Sequence, residues 1–338
     1  MGGESATTPS FSLLNRGKKS VVLDLKRPEG QESLKQLLGT ADVLVTNLRP
    51  KLLQGLGLEP EIVLASHPSL IYASITGLGL RGRESGAAVY DVGGFWARSG
   101  VIAQLSAPSE APFTAIGGFG DFVTALSMYA AIVTALLERE RTGLGRLVET
   151  SLLQTGAYMA SGDLAVQAAH GSIPPPRPRA ESRTPLVNSY RSSDGRWFYL
   201  TCIEAERHFP KVCRAIGLPD LVNDVRFGSA RGIRKHSREL IAVFDEAFAK
   251  GTLEQWRARF AECDVWWQPA ARPAEVLADP QLEANGMLQP VWDGAKRYPM
   301  ITAPFRVDQG RDPLPAPALG EHNEEVLGKL RNPHGVDR

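Results

Sequence analysis

VVLDL at 21–25, PEGQESLKQLLG at 28–39, DVLVT at 42–46 and LIYASIT at 70–76 are the stretches whose order decides the fold. The first, third and fourth are short runs rich in Val, Ile and other strand formers, the composition that suits a pleated, buried surface. The second has helical spacing and closes on Gly39, a helix stop. Strands alternating with helices predict a parallel sheet covered by helices, because parallel neighbours need a long crossover. The expectation is an α/β protein with a Rossmann-like large domain.

Further along, residues 122–141 carry the longest helical pattern, apolar along most of one side and ending in Glu138-Arg139-Glu140-Arg141 before Gly143. RLVET (146–150) predicts a strand and 151–170 another helix. IPPPRPRAESRTP (173–185) suits neither, since its prolines fix φ and remove donors. Then NSYRSSDGRWFYLTC reads as a hairpin turning at Ser193-Asp194-Gly195, and helices follow at about 205–216, 236–249 and 252–262. The predicted organisation is a large domain over 1–172, a linker over 173–186, a small α+β domain over 187–299 and a return to the large domain over 300–338.

Composition narrows the function classes. A chain of 338 residues is comfortable for two domains, and 43% hydrophobic with 22% charged residues speaks against disorder or a disulfide scaffold. A net charge of +1 argues against a nucleic-acid partner, whose phosphates call for an excess of Lys and Arg. Cys202, Cys213 and Cys263 are too widely spaced for a CxxC pair and suit a reducing compartment. MGGESATTPSF is not a secretory signal, and the apolar stretch 123–137 falls short of the roughly 20 residues of a membrane span. It reads as a buried core helix, and the expected location is the cytoplasm, with no membrane partner.

One constellation points to chemistry. Gly117-Gly118-Phe119-Gly120-Asp121 immediately precedes the long helix, so Asp121 falls at or beside its first turn. Exposed N–H groups and the positive end of the helix dipole favour an ionised carboxylate there, available as a nucleophile. Amides around Gly118 and Gly120 are candidates to stabilise an oxyanion. A helix cap is the alternative reading of the same Asp. Arg16, Lys18, Lys19 and Lys26 offer cations around the first strand, or equally a solvated edge, and Asn47 follows a strand at its carboxyl end, where open sheets gather ligands. No GxxxxGK[ST] occurs and the six histidines lack metal-ligand spacing, so NTP and metal readings lose ground. Trp266-Trp267 reads as small-domain core.

NRGKKSVVLDLKRPEG, ADVLVTNLRP, SLIYASITGLG, ERERTGLGRLVETSLL, EVLADPQLEANGM and ALGEHNEEVLGKL occur in one order. Together they resemble the class III CoA-transferases, the group containing formyl-CoA transferase, carnitine CoA-transferase and α-methylacyl-CoA racemase. The resemblance covers about residues 11–330. It implies a Rossmann-like large domain, a smaller domain and a homodimer of interlocked rings. It implies coenzyme A as the acyl carrier, a carboxylic acid as acceptor, and Asp121 as the nucleophile, since the family's Asp lies in a Gly-Asp pair before a long helix.

By position it also implies CoA contacts at Leu23, Asp24, Leu25, Lys26, Asn47 and Leu48, and an active-site tyrosine at Tyr90. Racemases have His at that place, so Tyr90 ranks CoA transfer above α-proton exchange. The chain departs from the family pattern at Gly55, where an Arg is usual, and at Ala88, where formyl-CoA transferase has Lys. Its start corresponds to members already some fifty residues in, so the family's amino-terminal strand and helix are expected to be missing. No clear counterpart of the glycine-rich lid exists, with 182–190 in its place. A racemase-like enzyme and a catalytically impaired CoA-binding member are the competing expectations.

Overall fold

Val43–Thr46 (β1), Ile71–Thr76 (β2) and Leu147–Ser151 (β3) form one parallel sheet in the order β1-β2-β3. Val43 pairs with Ile71 and Tyr72 with Leu147, so β2 is the central strand and is the most deeply buried. The computed structural model describes residues 8–106, 111–293, 296–305 and 314–331. These fall into two compact units, the described parts of Met1–Pro176, Pro290–Met300 and Arg306–Arg338 in one, and Arg177–Gln289 with Ile301–Phe305 in the other.

In the first unit, α1 (Pro9–Asn15) and α2 (Pro28–Thr40) precede the sheet, and α3 (Pro50–Leu56) and α4 (Pro60–Ser66) connect β1 to β2. Prolines open all four helices, where a missing N–H costs nothing. Leu38, Val63, Leu70 and Tyr72 pack together over one face of the sheet. The Tyr72 hydroxyl donates to Leu58 O at 2.7 Å, so the buried ring leaves no orphaned polar group. Burial, with Glu61 and Glu59 nearby, pushes that phenol up to about 12. Each such side chain stabilises the unit by about 1.5–3 kcal/mol over leaving it in water.

VVLDL is not a strand. Residues 18–24 are irregular, and their backbone groups are satisfied by the returning chain instead of a sheet neighbour. Ser20 N–H donates to His322 Nδ1 at 3.2 Å, Val22 N–H to Asn323 Oδ1 at 2.8 Å, and His322 N–H to Ser20 O at 3.0 Å. Lys19 pairs with Glu325. The short C-terminal helix that supplies Asn323 and Glu325 runs over Asn323–Arg331.

Between β2 and β3 the chain makes a π-helical turn over Val92–Arg98, then α5 (Val101–Leu105) and the 24-residue α6 (Phe119–Thr142). After β3 the expected single helix is two, α7 (Leu152–Met159) and α8 (Ser161–His170), broken at Ala160. Phe95 and Trp96 of the π-helical turn pack on Leu152.

The reading of 123–137 as a buried core helix is corrected. Only Gly120, Thr124, Met128 and Ala135 of α6 are buried. Phe119, Phe122, Leu126, Tyr129, Val133 and Leu137 are exposed to between 45% and 56%. By length and composition alone α6 is long and apolar enough to cross a membrane.

The second unit is built on the hairpin of β4 (Val187–Arg191) and β5 (Trp197–Thr201), paired antiparallel, with β6 (Trp267–Pro269) added beside β5. Gly195, with φ 76, takes the left-handed position the turn requires. Residues 182–190 thus run into β4. The helices α9 (Ala205–Ala215), α10 (Ala230–Lys235), α11 (Ser237–Phe248) and α12 (Leu253–Cys263) cover the sheet. Its core is aromatic: Tyr190, Phe198, Phe244, Phe248, Trp256 and Phe260 are all 2% exposed or less. Trp256 Nε1–H is shared between Phe248 O and Gly251 O, each at 2.9 Å. Trp267 joins this core, whereas Trp266 is 42% exposed and lies against His208 and Arg207. Then α13 (Pro273–Leu277), α14 (Pro280–Ala284), the ribbon β7 (Leu288–Asp293) with β8 (Lys296–Ile301), and α15 (Asn323–Arg331) complete the chain.

Candidate active site

Gly118 is the N-cap of α6 and adopts a left-handed conformation, φ 81, that a residue with a Cβ takes at a cost. No side chain caps this helix. Asp121 is its third residue, so it lies in the first turn with its carboxylate uncommitted to capping. The cap reading therefore fails, for a geometric reason: Asp121 is already inside the helix.

What fixes the helix mouth is Asp91, on the segment before the π-helical turn. Gly118 N–H donates to Asp91 Oδ2 at 2.9 Å. Asp91 is 5% exposed, and its Oδ1 is buried with no hydrogen-bond partner. A Cβ on Gly120 would sit 2.2 Å from Asp91 Oδ1 and 2.2 Å from Phe95 Cγ, so α6 can lie this close only with glycine there. One turn on, Thr124 and Thr155 share a buried hydrogen bond of 2.6 Å that ties α6 to α7. The Gly118 amide is thus engaged by Asp91, and the missing Cβ of Gly120 is what lets α6 pack this closely.

Asp121 opens onto a cavity of about 510 Å³. Its wall is formed by Asn47, Leu48 and Arg49 after β1, Thr76 and Gly77 at the end of β2, Ala87–Asp91, Thr124 and Ala125 of α6, and Leu152 just past β3. All three strands thus deliver their carboxyl ends to it, the position at which open parallel sheets hold ligands. Turns at two strand ends are set by threonines: Thr46 Oγ1 accepts from Leu48 N–H at 3.1 Å and Thr76 Oγ1 from Gly79 N–H at 2.9 Å.

Four of the residues singled out from the sequence, Asn47, Leu48, Tyr90 and Asp121, line this one cavity. Leu23, Asp24, Leu25 and Lys26 do not. Leu25 lines a second cavity of about 340 Å³ with Gln31, Leu34, Leu38, Ile62 and His67. Asp24 pairs with Arg27 at 3.3 Å. Tyr90 is 87% exposed.

The electrostatics differ from the helix-dipole expectation. The Asp121 carboxyl is raised above its ordinary value, first by burial and then by the negative charge of Asp91. Both oppose the stabilisation that a helix N-terminus gives an anion. Among the described residues no group of three or more His, Cys, Asp or Glu could hold a metal ion. Asp91 was not singled out from the sequence. Its adjacency to Tyr90 was the available signal, but no local pattern tied it to a glycine 27 residues later.

Comparison with known proteins gives one result throughout. The model of CoA-transferase family III matches residues 2–323. The (R)-2-hydroxy-4-methylpentanoate CoA-transferase of Clostridioides difficile is 30% identical over 325 residues, 95% of this chain and 81% of that one. The alpha-methylacyl-CoA racemase of Homo sapiens is 28% identical over 94% of this chain and 81% of its own. A crystal structure of a CAIB/BAIF family protein from Brucella suis superposes with a TM-score of 0.84 at 28% identity, covering 96% of this chain and 84% of that chain. A whole-chain family match, a relative at 30% identity and a shared mixed α/β fold with a parallel sheet have one meaning: the chain is an enzyme of CoA-transferase family III.

Proposed function

We propose that this enzyme moves CoA from an acyl-CoA donor to a carboxylic acid acceptor through a covalent intermediate on Asp121. The observation that carries the reading is a carboxylate, free of capping duty, opening onto a cavity shared with Asn47, Leu48 and Tyr90 at the carboxyl ends of the sheet. An Asp121 oxygen attacks the thioester carbonyl, the C–S bond breaks and its electron pair leaves with the CoA thiolate. The product is a mixed anhydride. Return attack of the thiolate on the Asp121 carbonyl releases the donor acid and leaves an aspartyl-CoA thioester. The acceptor carboxylate opens that thioester, giving a second anhydride, and the thiolate then takes the new acyl group and frees Asp121. One thioester is made for each one broken, so no ATP is consumed. Covalent catalysis divides a difficult exchange into easier steps.

In this reading Asn47 and Leu48 contact CoA, and Tyr90 lies beside the reacting group in the same cavity. The contacts at Leu23, Asp24, Leu25 and Lys26 rest on resemblance alone. Tyr90 in place of His favours transfer over racemisation. A racemase-like enzyme would instead wash solvent deuterium into the α-position without an acceptor acid.

The homodimer belongs to the same reading. The exposed stripe Phe122, Leu126, Tyr129, Val133 and Leu137 recurs at helical spacing along α6, and a second copy of the chain would remove it from water.

The test is mass spectrometry of protein incubated with acyl-CoA and hydroxylamine. A hydroxamate on Asp121 is expected, together with loss of transfer in Asp121→Ala. A hydroxamate on any other carboxylate, or full activity in Asp121→Ala, overturns the assignment.

A further inference from the structure

We propose that Asp91 is a positioning residue for the acyl-transfer step: one of its oxygens pins the mouth of α6, and the other keeps a second negative charge beside Asp121 that is relieved when Asp121 is acylated. The inference rests on Asp121 as the acyl acceptor. Its geometry is independent of that assignment.

Two facts about the Asp91 carboxylate need separate explanations. Oδ2 accepts the Gly118 N–H at 2.9 Å, and so holds the left-handed residue from which α6 starts. A side-chain acceptor in this place satisfies a donor the helix itself cannot. Oδ1 is buried without a partner, which is a costly way to keep a carboxylate if anchoring Gly118 were its whole purpose. An amide would accept the same N–H without the charge. Oδ1 also lies directly over the first turn of α6, where the missing Cβ of Gly120 leaves room for it.

The charged or titratable side chains lining the cavity are Arg49, Tyr90, Asp91 and Asp121. The π-helical turn contributes Phe95 against the helix mouth, and the described wall from β2 and α7 is formed by Ile75, Thr76, Gly77 and Leu152, none of them titratable. Asp91 is therefore the like charge that Asp121 meets, in agreement with the raised carboxyl of Asp121. Two carboxylates near one another disfavour the doubly ionised state. Acylation converts Asp121 into a neutral anhydride or thioester and removes that repulsion. The free enzyme is thus raised in energy relative to the acyl-enzyme, and the more basic Asp121 is also the better nucleophile.

Asp91→Asn keeps an oxygen able to accept from Gly118 and deletes only the charge. The rate of hydroxylamine trapping on Asp121 is measured against pH for wild type and variant with one acyl-CoA, and their ratio is taken so that the titration of hydroxylamine cancels. The expected result is an acid limb displaced to lower pH in Asp91→Asn, with a plateau reduced on the order of tenfold. Superimposable profiles would overturn the charge role. Asp91→Glu keeps the charge, so its acid limb stays nearer to wild type; coincidence with Asp91→Asn would overturn the role as well. Absence of any trapping on Asp121 in the wild type would instead remove the underlying assignment. Trapping on wild-type Asp121 with unaltered variant profiles removes only the inference about Asp91.

Discussion

Asp121 contributes to stability with a sign opposite to that of most carboxylates. Its folded-state value is raised by burial and by Asp91, so the folded protein binds its proton more tightly than the unfolded chain does. The stabilisation from that proton is fully present below the ordinary carboxylate value and is lost as pH rises through the raised one. Near neutral pH the ionised group therefore opposes folding. Asp121→Asn is expected to unfold at a temperature equal to or above that of the wild type at neutral pH. The difference shrinks, or changes sign, as pH falls below the ordinary carboxylate range. Thermal unfolding of both proteins across that range checks it; a variant less stable at neutral pH and matched in acid would contradict the sign. At this scale the sequence was informative about Asp121, because Gly-Gly-Phe-Gly-Asp and the helix after it are contiguous. Asp91 was invisible because its relation to Gly118 exists only after the intervening chain has turned back.

At the scale of elements, α6 is held by its small residues and left uncovered along its large ones. Gly120→Ala sets a methyl group 2.2 Å from Phe95 Cγ and Asp91 Oδ1. Overpacking of this kind costs about 1–3 kcal/mol, of which better helix propensity returns about 1 kcal/mol at most. Chemical denaturation should report the net loss, and the hydroxylamine trapping rate should fall with it as the helix mouth shifts; an unchanged midpoint would contradict the packing described here. The segment 21–25 illustrates the limit of local reading. VVLDL has the composition of a strand, yet its donors are met by His322 and Asn323, some 300 residues later in the chain. Nothing within five residues distinguishes those two partners. The other strands were legible because β2 is buried on both faces and needs a continuous apolar run. The outer stripe of α6 was legible as a stripe, but periodicity states only that one side is apolar, not what covers it.

For the whole molecule, the homodimer reading predicts that the protein sediments as two copies and that charge on the stripe separates them. Leu126→Glu with Val133→Glu should yield monomer in analytical ultracentrifugation, while the buried face of Gly120, Thr124, Met128 and Ala135 keeps α6 folded. A wild-type monomer that partitions onto lipid vesicles would contradict the dimer and assign the stripe to a membrane surface. The parallel sheet was within reach of the sequence because it is written in successive local segments. The aromatic core of the second unit was less so, since Tyr190, Phe198, Phe248 and Phe260 come from four separate elements that only the folded unit brings together.

The central claim is that Asp121 itself becomes bonded to the acyl groups it passes on. An acceptor acid labelled with ¹⁸O in its carboxylate tests it most directly, because the second anhydride joins an acceptor oxygen to the Asp121 carbonyl. When the thiolate removes the new acyl group, that oxygen stays on the enzyme. The account predicts ¹⁸O in the peptide containing Asp121 after turnover with acyl-CoA. Transfer that proceeds while every carboxylate of the protein remains unlabelled would contradict it.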